Sequence, residues 1–404
     1  MRLVFAANLI SMLGSGLNAA AVTWYILQRT GSEMNLALLV VMQTAPAMLL
    51  LPFSGVVIDR EDRRRLVMLL DATRGLVILA VAILAMRHSV QLWQLYLMNM
   101  LVAAGFWVFW PTITALIQEL TPDSEFVHAN TFLMAGVQGG WLIAGSVVGF
   151  LYNHVGLGPI LLIDFCTYVI SFLLYFGVRR GRHTVAHPDH PHAGDAVARY
   201  FHELKEGFKY VRGSRTIVAL GLTWALFLGG MLTQGITTAP LSERILGSGA
   251  VGYGFLNGAW GIGAFLSAVY AAWLMRKASG RFAVFLGMAV LTLGMLASPF
   301  SRVLPVAVFL FLLMGSARGL VGIAITTTIM ELVPKHMMGR VQNMFYFLGM
   351  LLQVVLGLAV GWTAHFLSLT LAFVMIGATY AAGVVLTALA RTHVPQREAV
   401  EATS

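Results

Sequence analysis

Gly55-Val56-Val57-Ile58-Asp59-Arg60-Glu61-Asp62-Arg63-Arg64-Arg65 joins two long apolar runs, residues 34 to 58 and 66 to 87. Four arginines and three acids in seven residues form a turn that cannot enter hydrocarbon. The flanking runs each exceed the roughly 20 apolar residues that cross a bilayer as a helix. The same alternation of greasy run and short polar break fills the 404 residues, of which 58% are hydrophobic and only 11% charged. Soluble domains carry about 25% charged residues, so a soluble core is excluded and the chain is read as mostly bilayer.

Breaks between apolar runs predict twelve spans, at about 4 to 27, 34 to 58, 66 to 87, 92 to 117, 127 to 153, 159 to 178, 216 to 241, 250 to 275, 281 to 300, 303 to 331, 341 to 366 and 369 to 391. The first run has no small-residue cleavage site followed by a soluble domain, so it is read as a retained span. The net charge of +9 sits in short loops and reports topology, not nucleic-acid binding. Inward loops collect Arg60, Arg63, Arg64 and Arg65, then Arg179 to Arg215, then Arg276, Lys277 and Arg281, then Lys335 and Arg340. Outward loops hold Arg29, Arg87, Arg244 and Arg302. This places both termini in the cytoplasm and the chain in the inner (plasma) membrane. Cys166, the single cysteine, excludes an intrachain disulfide and reads as a buried structural thiol.

The longest polar stretch separates a six-helix bundle over 1 to 180 from a second over 215 to 404, with a cytoplasmic linker at 181 to 214. Tyr200, Phe201, Leu204, Phe208 and Val211 interleave with charged residues in that linker, as in an amphipathic helix on the inner membrane face. His183, His187, His190 and His192, broken by Pro188 and Pro191, read as a disordered tract and not as metal ligands. Glu119-Leu120-Thr121-Pro122 recurs as Glu331-Leu332-Val333-Pro334, 212 residues later. Duplication of this kind is a transporter signature.

The turn at 55 to 65 resembles the loop motif of the major facilitator superfamily: a Gly, then Asp-Arg, then a basic cluster. The resemblance extends along the chain. Thr30-Gly31-Ser32, Ala129-Asn130, Ile163-Asp164, Glu206-Gly207, Tyr253-Gly254, Gly261-Ile262-Gly263 and Gly339-Arg340-Val341 are similar to the branch holding macrolide efflux pumps and the enterobactin exporter. It implies an all-α membrane protein whose two pseudo-symmetric halves rock about a central cavity. Two departures stand out: Asp62 replaces the usual Gly of the loop motif, and Ser146 follows Gly145 where the glycine-rich antiporter motif has Pro.

In that superfamily spans one, two, four, five, seven, eight, ten and eleven face the cavity. Asn18, Trp110, Gln138, Gln234, Asn257, Trp260 and Gln353 are therefore substrate-binding candidates, each amide serving either a ligand or a neighbouring helix. Arg318, in the middle of span ten, needs water or an acidic partner and is read as an anchor for an anionic substrate group. Asp59, Arg60, Arg63, Arg64, Asp71 and Arg74 are gating candidates. Asp164 is the proton-coupling candidate, although no acid lies at mid-depth in the cavity spans.

The expected function is export of amphipathic small molecules such as drugs, macrolides or siderophores by a proton-coupled monomer. A lysophospholipid transporter or flippase of the same fold is the alternative. The chain is not expected to be an enzyme or to need a cofactor, a metal or nucleic acid. Its partners are the amphipathic substrate and membrane lipids.

Overall fold

The computed structural model describes residues 2–121, 126–178 and 193–390. The four linker histidines lie outside the described residues, as do the side chains of Asp59, Arg60 and Gln138. Six helices form the first half: α1 (Arg2–Thr30), α2 (Glu33–Arg60), α3 (Arg63–Met86), α4 (Leu92–Leu120), α5 (Phe126–Val155) and α6 (Leu157–Phe176). The linker helix α7 (Ala193–Arg212) precedes α8 (Arg215–Pro240), α9 (Gly249–Lys277), α10 (Gly280–Ala297), α11 (Leu304–Leu332), α12 (Lys335–Phe366) and α13 (Leu369–Leu389). Among the described residues, eleven helices are long and apolar enough to cross a membrane, and α5 matches them in length.

The polar breaks end the helices by ordinary capping. Gly31, at a φ of 59°, closes α1 by donating its N–H to the Leu27 carbonyl at 2.7 Å, a left-handed cap that favours glycine. Asp62 opens α3: its side chain accepts from the Arg65 N–H at 3.1 Å. The aspartate that departs from the loop motif thus acts as an N-cap. Ser214, Ser279 and Ser368 cap α8, α10 and α13 in the same way.

The packing of the first half is repeated in the second. In the first, α1 lies on α5 and α6, α3 on α4 and α6, and α2 on α4. In the second, α8 lies on α12 and α13, α10 on α11 and α13, and α9 on α11. Helices α4 and α11 have the same length of 29 residues, offset by 212 like the duplicated motif at their ends. Across the molecule, α5 meets α9 and α2 meets α12.

One sequence expectation is corrected here. Cys166 is exposed, not buried. It lies two residues past Asp164 on α6, so the helical rotation of about 200° turns one inward and the other outward.

Helix α7 is fastened to the start of α12. Glu206 Oε2 pairs with Arg340 Nη1 at 3.0 Å, and a Cβ on Gly207 would lie 2.7 Å from the Arg340 carbonyl oxygen. Helix α7 also touches α2 and α8, so it straps both halves at the end rich in arginine and lysine. Phe208 stays exposed on its apolar side.

Candidate functional site

Three polar groupings stand out against the apolar interior. The first is a seam between halves at the end opposite the basic one. Glu33 opens α2 and is completely buried, yet its ionic partners come from the second half. Arg244 Nη1 stands 2.6 Å from Oε1, and His365 Nδ1 stands 3.5 Å from Oε2. Arg244 also donates from Nη2 to the Gly31 carbonyl at 2.6 Å. Deeper in the seam, Gln353 Nε2 donates to Thr44 Oγ1 at 2.6 Å, and Trp24 stacks on Tyr253 at 5.6 Å. On the other flank Gly145 and Gly149 of α5 lie against α9. A Cβ on Gly145 would stand 3.2 Å from Asn257, and any side chain at Gly149 would strike the Ala250 carbonyl. Small residues here let the backbones meet.

The second grouping fills the interior of the first half, between α1, α3 and α6. Arg74 and Asp71 are paired at 2.5 Å and both are buried, with Ser171 donating to the other Asp71 oxygen at 2.6 Å. The guanidinium of Arg74 is sandwiched between the rings of Phe109 (4.5 Å) and Tyr168 (4.8 Å), a cation–π arrangement. Asn18 Nδ2 donates to Asp164 Oδ2 at 2.7 Å. A Cβ on Gly14 would meet Thr167 and Asp164, so that face of α1 lies on α6. Asn8 continues the row, donating to the Tyr175 hydroxyl at 2.8 Å.

The third grouping is Arg318 on α11. It lies 14 residues from Leu304 and 14 from Leu332, at the middle of the helix. Its side chain is half-buried, its Nε donates to Met231 Sδ at 3.1 Å, and Tyr380 is within electrostatic reach. Among the described residues no carboxylate pairs with it. Position 106, the duplicate of 318 in the first half, is Phe106, which stacks with Trp110 at 6.2 Å.

The other residues singled out from sequence are dispersed among these groupings. Asn18 belongs to the second, where its amide is bonded to Asp164. Gln353 belongs to the seam. Asn257 donates one amide proton to its own helix, to the Tyr253 carbonyl at 2.8 Å. Gln234 is buried with Oε1 unpaired. Trp260 is half-buried and tilted against Phe311 at 6.3 Å. Arg63 pairs with Glu119 at 2.8 Å, while Arg64 donates to the Tyr175 carbonyl at 2.9 Å and to that of Phe176. Both arginines therefore bind α3 to the ends of α4 and α6 within their own half. Asp71 and Arg74 pair with each other, well inside α3 and away from the loop at its start. Glu33, Arg244, His365 and Thr44 escape sequence reading as partners. The available signal is an acid at the start of span two facing an arginine in another outward loop.

A structure with this helix order and duplicated packing has clear relatives. A mutant form of the nucleoside transporter NupG superposes with a TM-score of 0.75 at 11% identity, covering 96% of this chain and all of that one. The multidrug efflux pump Tap of Mycolicibacterium fortuitum is 22% identical over 390 residues, 93% of each chain. Macrolide efflux protein A of Streptococcus pyogenes is 23% identical over 232 residues, 56% of this chain and about half (54%) of that protein's length. The family model of the Major Facilitator Superfamily matches residues 4–357, nearly the full run of helices whose packing repeats between the halves, and the chain belongs to that superfamily.

Proposed function

We propose that this protein is a secondary active transporter, not an enzyme, that exports amphipathic small molecules by alternating access, with its basic end in the cytoplasm. The unpaired mid-depth charge of Arg318 carries the reading. An arginine at that depth costs several kcal/mol unless it meets water or an anion. Half-buried and without a carboxylate partner among the described residues, it is suited to receive the anionic group of a substrate. Trp110 and Phe106 at the duplicate position of the other half offer apolar area for the rest of such a molecule.

The seam supports alternation. Glu33 in one half and Arg244 and His365 in the other hold together the end opposite the basic one. Opening that end would separate the Glu33–Arg244 ion pair, 2.6 Å apart across the halves, so the pair acts as a latch on that side. Asp164 is the proposed proton carrier, and the efflux names of two relatives agree with the outward direction.

The test is efflux from cells carrying Arg318→Ala or Arg318→Lys, measured for acidic and neutral compounds of similar size. Losing one partner of a buried charged contact typically costs about 2–5 kcal/mol. Export of acidic compounds should therefore fall at least roughly tenfold with Ala, since about 1.4 kcal/mol is a factor of ten. Neutral compounds should keep most of theirs. Equal loss for both would reject the anchor, and acceleration of phosphate-bearing lysolipid movement alone would reassign the substrate to lipids.

A further inference from the structure

The second half opens a groove on its outer surface at the basic end of the molecule. The start of α10, the turn that follows α9 and the last turn of α13 enclose a cavity of about 480 Å³. Ala278, Ser279 and Ala388 line it with side chains too short to fill it. Phe282 and Phe285, one turn apart on α10, form an apolar wall, and both are exposed on the side where a spanning helix meets hydrocarbon.

Arg281 is the one charged residue of the lining. Its Nη1 donates to the Ala390 carbonyl at the end of α13. Among the described residues it makes no second hydrogen bond and has no carboxylate within ion-pair distance. The first half shows the same arginine satisfied. Arg64 and Arg281 are each the second residue of a helix, α3 and α10, and each reaches the end of the helix packed against its own, α6 and α13. Arg64 donates to two carbonyls, those of Tyr175 and Phe176, and lies 5.7 Å from the centre of the Phe176 ring. Arg281 has one carbonyl, and a cavity beside it.

A guanidinium with unused N–H groups at the mouth of an apolar groove suits a phosphate that carries hydrocarbon. Arginine binds phosphate oxygens through paired N–H bonds, and basic pockets between spans take anionic headgroups. Arg276 and Lys277, exposed at the end of α9, add positive charge next to the cavity, and its lining holds no acid. The start of α10 is already capped, with Ser279 Oγ accepting from the Phe282 N–H at 3.1 Å, so the attraction comes from the arginine.

We propose that this groove binds one anionic phospholipid, its phosphate on Arg281 and the start of an acyl chain on Phe282 and Phe285. Gly280 lies against Thr328, ten residues along α11 from Arg318, which is about 15 Å at the helical rise. The lipid is thus a fixed partner of the outer face, and the site stands independently of the export reading.

The experiment is native mass spectrometry of the full-length protein in detergent, titrated with phosphatidylglycerol, phosphatidylcholine or inorganic phosphate. The wild type is expected to hold one phosphatidylglycerol more tightly than any further one. Arg281→Gln should weaken that first binding about tenfold, the ratio set by losing one hydrogen bond to a charged group. Ala388→Leu, which fills the groove and leaves the Arg281–Ala390 contact in place, should weaken it as well, and it carries the test if Arg281→Gln fails to fold. Equal affinity for phosphatidylcholine would overturn the anionic assignment, and displacement of the first lipid by an equal concentration of inorganic phosphate would reassign the cavity to a soluble anion. Binding that emerges only when Glu398 and Glu401 are replaced by Gln would give the cavity to the chain's own carboxylates. A first binding unchanged in both Arg281→Gln and Ala388→Leu overturns the proposal outright.

Discussion

At the scale of single residues, the two halves treat charge in opposite ways. The first half buries two acids around one arginine, and the second places Arg318 at mid-depth without an acid among the described residues. The Asp71–Arg74 pair should behave as a buried ion pair does: removing one partner strands the other at a cost of about 3–5 kcal/mol, whereas replacing both with apolar residues recovers much of it. Asp71→Asn is therefore expected to lower the melting temperature in detergent markedly, and Asp71→Leu combined with Arg74→Met to restore most of the loss. Equal melting temperatures for wild type and Asp71→Asn would show that the pair contributes nothing to the fold.

At the scale of helices, Gly149 and the α2–α12 contact fix how closely the halves meet. A Cβ on Gly357 would stand 3.7 Å from Val40 Cγ1, near enough for a short bifunctional thiol reagent to bridge cysteines at the two positions. In a Cys166→Ser background, Val40→Cys with Gly357→Cys should crosslink readily, and adding Gly149→Val should reduce the yield several-fold by forcing α5 from α9. An unchanged yield would mean that α5 and α9 do not set the seam.

Helices are also where sequence reading succeeds and fails most clearly. Span ends fall within a few residues because lipid demands long apolar runs and the breaks carry Gly31, Asp62, Ser214 or Ser368 as caps. The exception is α12, which starts at Lys335 and not near 341, because the polar residues before the apolar run continue the helix alongside α7. Span one is expected to face the cavity and to carry Asn18 there, but apolar patterning gives no azimuth, and Asn18 with Gly14 on the same face of α1 lies against α6. Sequence leaves Gln353 to a ligand or to a neighbouring helix, and its partner in the structure is Thr44, 309 residues away. Contacts at that separation leave no trace in local pattern.

At the scale of the whole molecule, the seam, the buried acids and Arg318 form a sequence of levels between the two ends. Glu33 ties the two halves at the end opposite the basic one, since its carboxylate is fully buried beside Arg244 and His365 of the second half. Glu33→Gln should weaken the seam and shift the population toward a state open at that end, read as longer spin-label distances between α2 and α12. Distances identical to wild type would remove Glu33 from the gate. The most direct trial of the account is transport by the purified protein in liposomes under an imposed proton gradient, with a panel of acidic and neutral amphipathic dyes. The account predicts that dyes move against their own gradient, stop on addition of an uncoupler, and depend on Arg318 only when acidic. Dye distributions indistinguishable from those of empty liposomes under every imposed gradient would contradict it.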